Sequence, residues 1–104
     1  MESHLRGYDL DGVLVPRNVD PIAPFVIISG RTISDWNRTI LEVGSLVPIY
    51  LRPYGCHGDR LLAGRWKAEI IAALGVVEFY EDDPVQAEII RRTCKSCRLV
   101  LVPQ

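Results

Sequence analysis

The sequence has little of several features that would place it in a special class of protein. Its three cysteines are an odd number, which argues against a disulfide framework. No apolar run approaches the roughly 18 residues of a membrane-spanning helix. The first ten residues mix charged and apolar side chains, so they lack the apolar centre of a secretory signal. We therefore expect no membrane association and a cytoplasmic protein.

The chain also lacks an excess of charge of either sign. Its net charge is −1 and its isoelectric point is about 6.1. No overall electrostatic field therefore attracts the chain to nucleic acid or to an anionic membrane. Its net charge does not exclude a local basic patch. The hydrophobic fraction of 48% is ordinary for a globular protein. We predict a single domain over residues 1–104, able to bury roughly 60–70% of its unfolded surface.

What the sequence does contain is a series of five short apolar runs that alternate with amphipathic stretches. This alternation is typical of parallel β/α units. Near-continuous apolar character is what strands covered on both faces require. The pattern therefore predicts an α/β fold with a five-stranded parallel sheet. The runs are Leu5–Tyr8, Pro24–Ile28, Val47–Leu51, Val76–Tyr80 and Leu99–Val102.

Capping residues mark the limits of three predicted helices. Trp36 and Trp66 lie on the apolar faces of the first two and are predicted to be core residues. The link over residues 15–23 has no helical pattern, so we predict an extended loop that is too short to hold a lid domain. The predicted helix limits are Thr32 to Gly44, near Arg65 to Gly75, and Asp83 as N-cap with Pro84 at the first position.

Polar side chains with related chemistry lie where loops leave the predicted strands. Ligands of open parallel sheets bind at the carboxyl ends of the strands, so we expect these side chains to converge. The predicted site therefore draws on four separate parts of the chain. Its members are Asp9 and Asp11 after the first run, Ser29 after the second, Lys67 in the first turn of the second helix, and Glu81, Asp82 and Asp83 after the fourth run.

These residue types suit phosphoryl transfer. The carboxylates of Asp9 and Asp82 are hard oxygen ligands that suit Mg²⁺. A carboxylate such as Asp9 can also attack phosphorus, and a second one at Asp11 can exchange protons with the leaving oxygen and with water. Ser29 and Lys67 can hold phosphoryl oxygens.

The order of these motifs resembles that of the haloacid dehalogenase (HAD) superfamily. The matching segments are D-x-D-G at Asp9–Gly12, the serine of VIISGR, the lysine of RWKAEII and the carboxylates of FYEDDP. The resemblance implies a minimal, three-layer Rossmann-like domain without a cap. It also implies a magnesium-dependent phosphatase that works through an aspartyl-phosphate on a phosphorylated substrate.

The resemblance further implies a role for each matching residue. For Arg31 two roles stay open, a contact with the substrate and a solvated surface arginine. Arg52, Asp59 and Arg60 are better explained as part of a solvated loop than as residues that bind the substrate. The implied catalytic residues are Asp9 as nucleophile, Asp11 as general acid and base, and Lys67 as the neutralising charge. The candidate substrate-binding residues are Ser29, Gly30, Arg31 and Arg52. The implied metal ligands are Asp9, Asp11 through its backbone carbonyl, and Asp82 or Asp83.

The choice between the two last carboxylates follows from helix capping. Asp83 immediately precedes Pro84 and is well placed to cap the third helix, so its carboxylate is already engaged. We therefore prefer Asp82 as the metal ligand and keep Asp83 as the alternative. Glu81 stands where many members of the superfamily carry another aspartate, and we assign it a support role.

A narrower likeness concerns the substrate. The stretch with Arg52, Gly58-Asp59-Arg60 and Lys67 is similar to the phosphatase domains of polynucleotide kinase/phosphatase enzymes, which implies a nucleotide or a nucleic-acid 3′-phosphate end. Two other functions stay open. One is a non-catalytic module that binds a phosphorylated partner, and the other is a phosphotransferase, which normally needs a cap to exclude water.

The C-x-x-C of Cys94 and Cys97 raises the question of zinc, since a structural zinc site needs about four ligands. The other candidates, Cys56 and His57, follow the third apolar run, whereas Cys94 and Cys97 precede the fifth. The two groups therefore lie at opposite ends of the predicted sheet. We predict core-adjacent thiols and no zinc.

Overall fold

The computed structural model describes residues 4–44, 47–53 and 59–104, and all structural statements below concern these residues. Within them the chain forms an α/β protein with five strands and three α-helices. The strands are β1 (Arg6–Tyr8), β2 (Phe25–Thr32), β3 (Ile49–Arg52), β4 (Glu78–Glu81) and β5 (Arg98–Leu101). The helices are α1 (Trp36–Val43), α2 (Arg60–Leu74) and α3 (Pro84–Thr93).

The five strands form one sheet in the order β3-β2-β1-β4-β5. Every neighbouring pair is parallel; Tyr8 of β1, for example, lies in register between Ile27 of β2 and Tyr80 of β4. The predicted five-stranded parallel sheet is therefore confirmed. β1 is the central strand, so the residues that follow it lie at the middle of the carboxyl edge of the sheet.

The two faces of the sheet are covered by different parts of the chain, because successive side chains of a strand point to opposite faces. Phe79 packs with Ile71 of α2 and Ile90 of α3 in the larger core cluster. Tyr8 packs with Val13 of the loop after β1 in the smaller one. Both faces are thus buried, as the apolar runs predicted.

The start of α2 differs from the sequence prediction. The helix begins at Arg60 rather than near Arg65, because the carboxylate of Asp59 caps it by accepting a hydrogen bond from the backbone N–H of Leu62. Asp59 and Arg60 therefore do not lie in a solvated loop. Gly64 lies inside this helix where α3 approaches α2, and a Cβ built there would lie 3.0 Å from Ile89 Cδ1.

The start of the first helix also differs. Thr32 is extended at the end of β2, its side chain makes no capping hydrogen bond, and a short 3-10 turn over Ile33–Asp35 precedes α1. Trp36 is 46% exposed, so its assignment to the core was wrong. Trp66 is partly buried against the larger core cluster, as expected.

Other predicted boundaries agree with the structure. Gly44 and Gly75 come directly after the last residues of α1 and α2, and Asp83 caps α3 with Pro84 at its first position. Among the described residues, no helix combines the length and the apolar character that crossing a membrane requires.

Candidate active site at the carboxyl edge of the sheet

The polar residues singled out in the sequence converge on one open pocket of about 370 Å³ at the carboxyl ends of the strands. Ser29 is not among the described lining residues; it lies buried beside them, and its hydroxyl oxygen accepts a hydrogen bond from the backbone N–H of Arg31 at 3.1 Å. The lining residues are Asp9, Asp11, Gly30, Arg31, Asp35, Arg52, Asp59, Arg60, Ala63, Lys67, Glu81, Asp82, Asp83 and Gln86.

Asp9 is held at the centre of this edge by the central strand. Its backbone N–H donates to the carbonyl of Tyr80 at 2.9 Å, which continues the β1–β4 pairing by one residue. Three residues on, Gly12 turns the chain with a φ of +83°, a region that favours glycine. A Cβ at Gly12 would overlap the Asp82 carboxylate, so this glycine also leaves room for that side chain.

Lys67 lies in the middle of α2 rather than in its first turn, and its ammonium group is buried between two carboxylates. Lys67 Nζ is 2.7 Å from Glu81 Oε1 and 3.1 Å from Asp9 Oδ1. Its side chain is 2% exposed. Burial by itself lowers the pKa of Lys67, but the charges of Asp9 and Glu81 outweigh it, so the pKa is raised and the lysine stays charged.

The neighbouring carboxyl groups of Asp9 and Asp82 both have raised pKa values. Burial raises the pKa of Asp9 from 3.8 to about 7, a shift that Lys67 opposes and that the charge of Glu81 adds to. Burial also raises the pKa of Asp82, with the Asp9 carboxylate as the next cause. Strongly perturbed carboxylates grouped in a pocket are a general feature of functional sites.

Asp9, Glu81 and Asp82 form a group whose ligand oxygens all lie within 4.8 Å of one another. Both oxygens of Glu81 are already engaged, since Oε1 accepts from Lys67 and Oε2 from the backbone N–H groups of Asp82 and Asp83, whereas Lys67 contacts only Oδ1 of Asp9. Asp9 and Asp82 are therefore the carboxylates that a cation would use. Hard oxygen donors that line an open pocket fit Mg²⁺, which keeps several of its water ligands.

Asp83 lies outside this group, and its carboxylate is engaged on three sides. It accepts from the Arg60 guanidinium, from the backbone N–H of Val85 at 2.9 Å and from Gln86 Nε2 at 3.0 Å. The hydrogen bond from Arg60 is the main cause that lowers the pKa of Asp83 to about 2. The geometry therefore leaves Asp82, rather than Asp83, available to a cation.

Arg31 is neither solvated nor directed to an empty part of the pocket. Its guanidinium forms a fork with Asp11, with distances of 2.9 Å from Nε and 2.6 Å from Nη2. The same group donates to Thr39 and Glu42 of α1. Hydrogen bonding to Asp11 raises the pKa of Arg31, so the guanidinium is a permanent cation in this network.

The remaining predicted residues occupy different surroundings. Arg52 is the last residue of β3, is buried and lines the pocket, so it does not belong to a solvated loop. Gly30 also lines the pocket, and a Cβ there would lie 3.9 Å from Lys67 Cε. The sequence reasoning missed Glu42 and Thr39, although their spacing of three places them on one face of α1.

The cysteines of the C-x-x-C are buried free thiols in the larger core cluster. Cys94 Sγ donates to the carbonyl of Ala68 at 3.2 Å, and burial raises the pKa of Cys97 to about 12. Cys56 and His57 lie outside the described residues, so the absence of zinc stays a prediction.

Comparison of the chain with known protein families, with curated proteins and with solved structures finds no match. The likeness to the HAD superfamily therefore stays a prediction that depends on the motifs themselves. The function of the pocket has to be inferred from its own geometry and chemistry.

Proposed function

We propose that this protein is a magnesium-dependent phosphomonoesterase that works through an aspartyl-phosphate on Asp9. The observation that carries the proposal is the buried group at the centre of the carboxyl edge of the sheet, in which Lys67 lies between Asp9 and Glu81 with Asp82 beside them. The proposal includes a three-layer Rossmann-like domain of the HAD type without a cap. A cytoplasmic location stays a prediction.

In the first step an oxygen of Asp9 attacks phosphorus, and the bond from phosphorus to the ester oxygen breaks. Asp11 gives a proton to that leaving oxygen, which departs as an alcohol. In the second step a water molecule attacks the aspartyl-phosphate, Asp11 takes a proton from this water, and inorganic phosphate leaves. Asp9 is thereby regenerated.

The charges of the pocket support a requirement for a cation. Seven of its lining residues are carboxylates and four are cationic, so an anionic phosphate would meet a net negative surface. Mg²⁺, when bound by Asp9 and Asp82, would supply positive charge next to the phosphoryl oxygens. Lys67 supplies a second, fixed positive charge beside Asp9.

The open pocket supports substrates of different sizes, including a nucleotide and the 3′-phosphate end of a nucleic acid. Arg52 and Arg60 both line the pocket, and each contact to a backbone phosphate would add to the salt dependence of binding. Arg60 would have to leave Asp83 to make such a contact. We therefore place small phosphomonoesters first and oligonucleotide ends second.

The test is a screen of phosphorylated compounds, from aryl phosphates and nucleotides to a 3′-phosphorylated oligonucleotide, with and without Mg²⁺. Wild-type turnover should require the metal, and Asp9→Asn should lower kcat by at least about 10⁴-fold, because an amide cannot act as the nucleophile. Arg91→Gln, on an exposed part of α3, is the matched control and should be fully active.

Two results would contradict the proposal. Equal turnover by Asp9→Asn and wild type would exclude the nucleophile. Tight binding of phosphorylated compounds without release of phosphate from any of them would favour a non-catalytic module.

A further inference from the structure

The general acid of the proposed reaction is held in an unusual way. Asp11 is 61% exposed, and an exposed aspartate ordinarily moves among several rotamers. Here the guanidinium of Arg31, whose side chain is only 9% exposed, donates to both of its oxygens. Paired N–H···O bonds of this kind fix the plane and the direction of a carboxylate. Each oxygen keeps a second lone pair outside the fork, and the proton that Asp11 gives to the leaving oxygen lies there.

The guanidinium is itself fixed from the opposite side. Arg31 Nη1 is 3.1 Å from Thr39 Oγ1 and 3.1 Å from Glu42 Oε1, and Nη2 is 3.2 Å from Glu42 Oε2. Thr39 is fully buried, and Glu42 lies one turn further along α1. Helix α1 therefore anchors the arginine, and the arginine anchors the aspartate.

The hydrogen bonds of Arg31 also decide between two roles for this residue, direct binding of the substrate phosphate and positioning of Asp11. An arginine side chain has five N–H donors, and five contacts within hydrogen-bonding distance occupy the Arg31 guanidinium. A direct contact with a substrate phosphate would break part of this network. The geometry thus argues for an action through Asp11 rather than on the phosphate.

We infer that Arg31, anchored by Glu42 of α1, is a positioning residue that holds the Asp11 carboxylate at the pocket where the leaving oxygen of a phosphomonoester departs. This inference rests on the proposed function and deepens it. In a site without a lid, this chain of contacts does the work of ordering the general acid.

The inference predicts a dependence on the leaving group. A leaving oxygen that departs easily, as in 2,4-dinitrophenyl phosphate, needs little proton donation, whereas the phenolate of phenyl phosphate needs much more. The measurement is kcat/KM with Mg²⁺ for both substrates, since this quantity reports the steps up to departure of the leaving group. Wild type, Arg31→Gln, Arg31→Lys, Glu42→Gln, Asp11→Asn and the double variant Asp11→Asn/Arg31→Gln are compared.

We expect Arg31→Gln to lower kcat/KM for phenyl phosphate by about 10–10²-fold, part of the 10²–10⁴-fold that proton transfer typically contributes. The value for 2,4-dinitrophenyl phosphate should hardly change. Asp11→Asn should show the same pattern with a larger loss, and the double variant should equal Asp11→Asn. Arg31→Lys should recover only part of the activity, because lysine keeps the charge and loses the fork.

Glu42→Gln keeps the size of the side chain and should give a smaller loss with the same dependence on the leaving group. Glu42→Gln also tests the inference if Arg31→Gln does not fold, which circular dichroism would reveal. Arg91→Gln, which also removes an arginine from an ion pair, should change neither substrate.

Equal losses on both substrates, or losses that multiply with that of Asp11→Asn, would overturn the inference and indicate that Arg31 binds the phosphoryl group. The proposed function fails in a different way. In that case wild type hydrolyses neither substrate, and the inference fails with it.

Discussion

Two ion clusters of this protein have nearly the same geometry and opposite surroundings. In the buried cluster, Lys67 Nζ lies 2.7 Å from Glu81 and 3.1 Å from Asp9. In the surface cluster on α3, Glu88 lies 2.6 Å from Arg91 and 2.7 Å from Arg92. The buried side chains are 0–8% exposed and those on α3 are 43–76% exposed.

The pKa values show what this difference does. Hydrogen bonds from Arg91 and then Arg92 lower the pKa of Glu88 to about 2. Asp9 also has a cation beside it, yet burial raises its pKa to about 7. Short distances therefore do not determine how an ion pair behaves; the access of water to the pair does.

The largest effect on stability is expected when the buried cluster loses its cation. Lys67→Met leaves the buried carboxylate of Glu81 without its cation, and breaking a buried pair in this way typically costs about 3–5 kcal/mol. Urea denaturation without divalent cations would measure the loss. Arg92→Met, the same kind of change in the surface cluster, should shift the midpoint very little.

A second variant separates the charge of Glu81 from its packing. Lys67→Met/Glu81→Gln should regain much of the lost stability, because no carboxylate is then left at that position without a cation. Equal midpoints for Lys67→Met and Arg92→Met would contradict the comparison between the two clusters.

The next effect is a dependence of stability on pH. The folded-state pKa of Asp9 is about 7, above its ordinary 3.8, so the folded protein keeps a proton that the unfolded chain has already released. The contribution of Asp9 to the free energy of unfolding therefore falls as pH rises from about 4 to about 7. Asp9→Asn should remove this decline in metal-free protein.

Mg²⁺ should act in the opposite direction over the upper part of this range. Because the metal and the proton compete for Asp9, added Mg²⁺ should raise the unfolding midpoint more at pH 8 than at pH 6. Thermal unfolding at both pH values, with and without Mg²⁺, measures the difference. An Mg²⁺ effect that is independent of pH, or that persists in full in Asp9→Asn, would refute the assignment of the ligand.

The smallest effect is expected in the surface cluster. The pKa of Glu88 is lowered from 4.5 to about 2, so its contribution to stability is present above pH 4.5 and is lost as pH falls toward 2. Glu88→Gln should hardly move the melting temperature at pH 7, and added salt should make even that change smaller. A loss comparable to that of Lys67→Met would mean that exposure does not distinguish the clusters.

The same contrast explains which features could be predicted from the sequence. Glu88 and Arg92 are four residues apart on one helix, and Asp83 with Pro84 is a local start signal, so neighbours in the chain suffice for both. The start of α2 was misplaced because Asp59, which caps the helix, was interpreted as part of a loop. Gly64 lies inside this helix at the contact with Ile89, and that contact depends on a helix about twenty residues or more further along the chain.

By itself, the sequence determined the five strands, the parallel sheet and the convergence of Asp9, Lys67 and Asp82 on one edge. Apolar runs and strand ends are local features, and parallel strands bring their carboxyl ends together whatever the details of packing. The order of the strands in the sheet, by contrast, comes from the structure, in which their pairing is observed.

Only the tertiary structure decided which charges are buried and which partners they have. Arg31 and Lys67 would ordinarily be expected in water, and the exposure of Trp36 contradicts its place in an apolar pattern. Burial and pairing arise where segments distant in the chain meet, as α1 meets the end of β2 at Arg31 and α2 meets β1 and β4 at Lys67. The desolvation that raises the pKa of Asp9 is a property of that meeting and of no single segment.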